Sequence, residues 1–158
     1  MLRRSVVLLL ATALATALGA AARLEACTCT NEPTLAQEFE SAAAVFTGRV
    51  TAIQPAGDGF NVIVTLTPLL RWKGGLDDPV ILATPENAGI CGYAFEIARE
   101  YLVFAWPYSI SGQETIFTHL CSRTASAEGN QDIPNLGSPL VPTAVRAMSW
   151  GGVKRAWR

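Results

Sequence analysis

The chain has 158 residues, half of them apolar and 16% charged, with a formal net charge of −1 at neutral pH. So even a balance argues against nucleic acid or any strongly charged partner. Beyond the first residues no stretch is long and apolar enough to span a bilayer, which points to a soluble domain without a transmembrane segment.

In chain order, residues 1–26 read as a secretory signal peptide. Arg3 and Arg4 supply a positive start, Val6 to Leu18 an apolar run, and Gly19 to Ala22 the small residues before a cleavage site. Arg23 and Glu25 follow that short run, which separates it from a membrane helix. Cleavage has two readings, after Ala22 or after Ala26, and the second makes Cys27 the first mature residue. Leu24-Glu25-Ala26-Cys27 also faintly resembles a bacterial lipoprotein box, which would put a lipid anchor on Cys27. Glu25 does not suit that motif, and Arg23 interrupts the apolar run. Removing the leader leaves about 130 residues, enough for one domain with its own core. The expected location is secreted, extracellular or periplasmic.

Pro33 with Leu35, Ala36, Phe39 and Ala43 at helical spacing predicts a short helix over about residues 33–42. Phe46, Gly48, Val50 and Ala52 then alternate with Thr47, Arg49 and Thr51, the period of a half-buried strand. Gly48 within it marks a bulge or bend. Pro55 to Gly59 is a turn by composition, and Phe60 to Leu66 completes a hairpin that Pro68 ends or places at an edge. Val80 to Ala83 predicts a third strand, and residues 84–92 a loop carrying Cys91. Tyr101 to Trp106 reads as a central strand buried on both faces, and Thr115 to Leu120 as a fifth strand delivering Cys121. Five short antiparallel strands with an early helix suggest a small closed or partly closed barrel. A helix between Arg123 and Gln131 is opposed by Gly129. Residues 138–158 read as a flexible basic tail, ending Lys154-Arg155-Ala156-Trp157-Arg158.

Cys27, Cys29, Cys91 and Cys121 in an exported chain read as two disulfides. Cys27 and Cys29 share one side of an extended segment. A bond between them is strained, so two connectivities stay open. Each bridge closes a long loop, worth about 4 kcal/mol in the chain-entropy account. A four-thiolate zinc site is the rival chemistry, but its usual C-x-x-C pairs are missing. Nothing calls for a cofactor. His119 is the only histidine and sits in a strand pattern, as a packed or half-exposed residue rather than a base. No metalloprotease helix, phosphate loop or nucleophile elbow is present, so the chain reads as a non-enzyme. Trp72 reads as a cap on the core, Tyr101, Phe104 and Trp106 as core or wall, and Arg49 and Arg123 as solvated charges.

Six stretches taken together carry a resemblance. They are Cys27-Thr28-Cys29 after a leader, Ala44 to Val50, Trp72-Lys73-Gly74, Cys91-Gly92, Tyr101 to Ala105, and Cys121 to Thr124. In this order they resemble the netrin-like domains, the group that includes the N-terminal domain of the tissue inhibitors of metalloproteinases. The resemblance covers Cys27 to about Gly137. It implies an all-β fold with flanking helices, a five-stranded OB-type Greek-key barrel over residues 27–137. It also implies a pairing of Cys27 with Cys91 and of Cys29 with Cys121.

In the inhibitors the first cysteine's amine and carbonyl chelate the protease zinc. Carried over, Cys27 would contact the zinc of the target protease through backbone atoms, Thr28 would enter the specificity pocket, and Cys29 would complete the contact. The partner implied is a zinc metalloproteinase or another extracellular protein. The chain departs from the inhibitors in lacking a third N-terminal disulfide and a second cysteine-rich domain. Phe39 falls near the place of the further cysteine. The alternative reading is a non-inhibitory extracellular or envelope binding module.

Overall fold

The computed structural model describes residues 27–30, 33–110 and 112–140. The expected leader, 1–26, and the tail from 141 to 158 lie outside the described residues, as do both readings of the cleavage site.

Helix α1 spans Leu35–Ser41. Thr34 caps it: its hydroxyl accepts the Gln37 N–H while the Gln37 side chain accepts the Thr34 N–H. This reciprocal capping box fixes the start of the helix. Pro33 therefore precedes the cap and is not in the first turn, and the helix is shorter than 33–42. At the other end the Lys73 ammonium donates to the carbonyls of Phe39 and Glu40, at 2.8 and 2.7 Å. Those carbonyls have no partner inside the helix, and a cation there also suits the helix dipole.

Five strands close into a ring. They are β1 (Ala44–Pro55), β2 (Asn61–Lys73), β3 (Val80–Pro85), β4 (Glu100–Ile110) and β5 (Gln113–Phe117). Their order is β1-β2-β3-β5-β4, and β4 pairs back onto β1. A sixth strand, β6 (Ala125–Ser126), adds two residues to the side of β4. An odd number of strands cannot alternate in direction all the way round, so one neighbouring pair must be parallel. That pair is β3–β5, joined through Leu82 opposite Ile116 and Ala83 opposite Phe117. The all-antiparallel expectation is corrected on this point.

The ring's interior holds Phe46, Val50, Val64, Leu66, Leu82 and Val103, packed with Tyr101. A second layer lies outside it. There Val45, Trp72, Leu102 and Phe104 pack under Leu35 and Phe39 of α1 and under the 3-10 turn Ile133–Leu136. This outer cover explains why Ala44 to Gly48 is buried on both faces although the sequence alternates as a half-buried strand would. Beyond Gly48 the cover ends and exposed residues appear. Trp72 is accordingly a residue of the outer layer and not a cap on the ring. Its indole N–H donates to the Gly137 carbonyl at 3.0 Å.

β2 runs straight through Pro68, where the sequence predicts an end or an edge. The register slips between Thr47 and Gly48, where Gly48 lies opposite Pro68. A bulge there accommodates a residue with no N–H to give. No helix forms over 123–131; β6 takes part of that stretch, with Gly129 at φ 68°. Arg123 is also no solvated charge. Its guanidinium meets the Asp132 carboxylate at 2.9 and 2.8 Å and the Pro33 carbonyl at 3.0 Å. The described chain continues to Leu140, whose N–H donates to the Arg71 carbonyl. No helix of the described residues is long and apolar enough to cross a membrane.

Phe46 is wholly buried inside the ring. Phe46→Ala is expected to cost about 3–5 kcal/mol, the range for emptying an aromatic site in a close-packed core. Chemical denaturation of the oxidised protein, read by its midpoint at constant slope, measures this.

Candidate functional site: a doubly stapled edge and the cleft beside it

Cys27 to Thr30 belongs to no strand, and two disulfides hold it. Cys27 is bonded to Cys91 and Cys29 to Cys121, each pair with Cα atoms 5.3 Å apart. The bridges lie side by side, with the Cys27 and Cys121 sulfurs 3.8 Å apart. Three sulfurs, of Cys27, Cys91 and Cys121, gather within 4.8 Å. All are spent in disulfides, so they offer no thiolate to a metal. Between the bridges Thr28 is exposed.

Each receiving loop is fixed by its own chemistry. Asn87 caps the 3-10 turn Ala88–Ile90, and Cys91 follows in the left-handed region at φ 67°. That conformation costs a non-glycine residue about 1–2 kcal/mol, and the disulfide and neighbouring bonds hold it. The Gly92 N–H donates to the Asn87 carbonyl at 2.8 Å. A Cβ on Gly92 would fall 2.0 Å from the Pro85 carbonyl oxygen, so the chain can pass there only without a side chain.

The other loop starts from Thr118, fully buried, whose hydroxyl shares hydrogen bonds with those of Thr124 and Ser122. The Thr124 hydroxyl is bonded in turn to the backbone of Phe104. One direct link joins the two loops: the Leu120 N–H donates to the Cys91 carbonyl at 2.7 Å. Ile90 and Leu120, next in sequence to the two receiving cysteines, are both exposed. Each bridge thus has an exposed apolar residue next to its receiving cysteine.

Beside the edge opens a cleft of about 650 Å³, lined by Thr28, Cys29, Thr30, Pro33, Gln37, Glu38, Trp106, His119 and Cys121. His119 stacks on Trp106 with ring centroids 5.6 Å apart. Its Nδ1 accepts the Cys121 N–H at 3.2 Å, which assigns the proton of the neutral ring to Nε2. Burial lowers its pKa below the ordinary 6.5, with the nearby Glu38 carboxylate opposing that shift. Glu38 is 5% exposed, and its Oε1 accepts the Arg123 N–H at 3.0 Å.

The site therefore joins residues that lie far apart in sequence. Cys27, Thr28, Cys29, Cys91 and Cys121 come together, and His119 stands beside them as a packed ring against Trp106. Arg49 lies elsewhere, paired with Glu100. Glu38 was not singled out from sequence. The Thr34-x-x-Gln37 capping signature was legible and would have placed Glu38 in the first turn of a helix, though not against β4. No family model and no curated protein matches the chain.

Two outcomes are expected here. Gly92→Ala should destabilise the oxidised protein by more than about 3 kcal/mol, because the clash is with backbone that cannot rotate away; thermal and denaturant unfolding test it. His119, favoured neutral by the fold, binds fewer protons than in the unfolded chain. Its stabilisation is complete above pH 6.5 and is lost as pH falls from there through the lower folded pKa. His119→Asn, which keeps a short acceptor for the Cys121 N–H, should flatten that slope in denaturation measured across pH 4–8.

Proposed function

We propose that this chain is an exported netrin-like domain, an OB-type five-stranded Greek-key barrel that inhibits a zinc metalloproteinase. Contact runs through Cys27, Thr28 and Cys29. The observation that carries this reading is the edge itself. A short segment outside any strand, with Thr28 exposed between two disulfides and exposed Ile90 and Leu120 next in sequence to the receiving cysteines, is a pre-ordered ridge. Rigidity matters because ordering a flexible segment would subtract from binding. The ring order with one parallel pair supports the OB-type assignment.

Cleavage directly before Cys27 gives that residue a free α-amine. Its ordinary pKa near 8 leaves a usable fraction as the neutral base at physiological pH. Amine nitrogen and carbonyl oxygen of one residue then form a five-membered chelate on a zinc with an open position, displacing the water that would attack substrate. Thr28 points onward into the protease's specificity pocket. The inhibitor itself performs no catalysis, needs no cofactor and acts outside the cytoplasm.

A second reading, a non-inhibitory extracellular or envelope binding module, is favoured by one observation. Phe39, near the place of the inhibitors' further cysteine, is packed in the outer layer beneath the Lys73 ammonium, 5.5 Å from its ring centroid.

Intact mass of the exported protein reads the N-terminus. A chain that starts at Arg23, or carries lipid on Cys27, overturns the chelation mechanism. With Cys27 first, the protein is expected to inhibit a zinc endopeptidase, and one alanine placed before Cys27 to weaken that inhibition by at least about 100-fold, since the chelating amine becomes an amide. Equal potency of the two forms means that the amine is not the ligand.

A further inference from the structure

The cleft beside the edge has a composition that zinc chelation does not use. Cys27 does not line it, whereas Trp106, His119 and Glu38 do. Glu38 is the unusual member. A carboxylate that is 95% buried is ordinarily held by a cation or by several donors. Here Oε1 accepts one backbone N–H, from Arg123. Among the described residues no ion pair reaches Glu38 within 4.0 Å and no hydrogen bond is made to Oε2. The guanidinium of Arg123 is itself engaged with Asp132 and the Pro33 carbonyl. The other walls include the stacked rings of Trp106 and His119, the polar residues Thr28, Thr30 and Gln37, and Pro33 beside the Cys29–Cys121 bridge.

We propose that this cleft receives an arginine side chain from a protein partner, with the guanidinium on the Glu38 carboxylate and against the Trp106–His119 pair. Three features select that chemistry. A carboxylate that lines a cleft and whose second oxygen has no protein donor among the described residues suits a cationic donor. Aromatic faces favour a planar, weakly hydrated cation, which is guanidinium before ammonium. At about 650 Å³ the space exceeds one side chain and falls within the range of ligand sites, so the backbone flanking the arginine fits along Thr28 and Thr30. The cleft shares Thr28 and Cys29 with the edge but not Cys27, and it stands whether or not Cys27 has a free amine.

His119 is the only histidine of the chain, which makes its imidazole a clean reporter of the cleft. The oxidised protein is titrated with the blocked tripeptide Gly-Arg-Gly while the His119 ring resonances are followed by NMR. The uncharged counterpart with citrulline in place of arginine is the control. Expected are a saturable shift with the arginine peptide, a further lowering of the His119 pKa by the added positive charge, and at least tenfold weaker binding of the citrulline peptide. Glu38→Gln keeps an acceptor for the Arg123 N–H and should weaken arginine binding about tenfold or more. If that variant does not fold with both disulfides formed, Thr30→Arg is read instead; its own guanidinium should fill the cleft and abolish the saturable shift. Equal binding of arginine and citrulline peptides, no saturable shift, or an unchanged response in the variant read overturns the proposal.

Discussion

The N-terminal segment and the sheet are joined by covalent bonds where other segments are joined by hydrogen-bond ladders. Cys27 to Thr30 has no strand partner, so its position depends on the bonds to Cys91 and Cys121, which lie 64 and 92 residues away. Loops of that size put each bridge at about 4–5 kcal/mol in the chain-entropy account. Such a sum is comparable to the whole net stability of a small domain. The receiving loops are built to match. One passes through a left-handed cysteine and a glycine that tolerates no side chain, and the other is locked by buried threonine hydroxyls.

The outer layer is the second constraint. Strand β1 is covered on both faces over Ala44 to Gly48 because α1 and the 3-10 turn Ile133–Leu136 lie across it. Lys73 ties that layer to the ring by satisfying the last carbonyls of α1, and Trp72 does the same toward Gly137. Both residues end β2. Helix α1 thus sits over β1 and β4 without a disulfide of its own, and this is what brings Glu38 opposite His119 and the backbone of Arg123.

Much of this was legible from period and punctuation. The strands announced themselves by alternation, and the double burial of Tyr101 to Ala105 by its unbroken apolar run. What could not be read depends on neighbours distant in sequence. Alternation in β1 looks half-buried until an outer layer covers it, and Pro68 looks like a terminator until a bulge in β1 excuses its missing N–H. Arg123 looks like any surface charge until Asp132 and Pro33 meet it. The edge was legible because cysteines mark themselves. The cleft was not, because Glu38 and Trp106 are unremarkable letters whose meaning comes only from packing.

The parallel pair β3–β5 has a consequence for the tripeptide. The ring meets itself there over two residue pairs, extended by the Thr118 N–H to the Ala83 carbonyl. Downstream of β3 the chain leads to Cys91, and downstream of β5 it leads to Cys121. Cys27-Thr28-Cys29 is bonded to both, so it stitches across the place where the sheet's circumference is completed. The molecule is closed twice at that point, once by hydrogen bonds and once by a covalent clasp of three residues. A partner that grips Thr28 therefore pulls on the buckle of the whole ring and not on a free chain end.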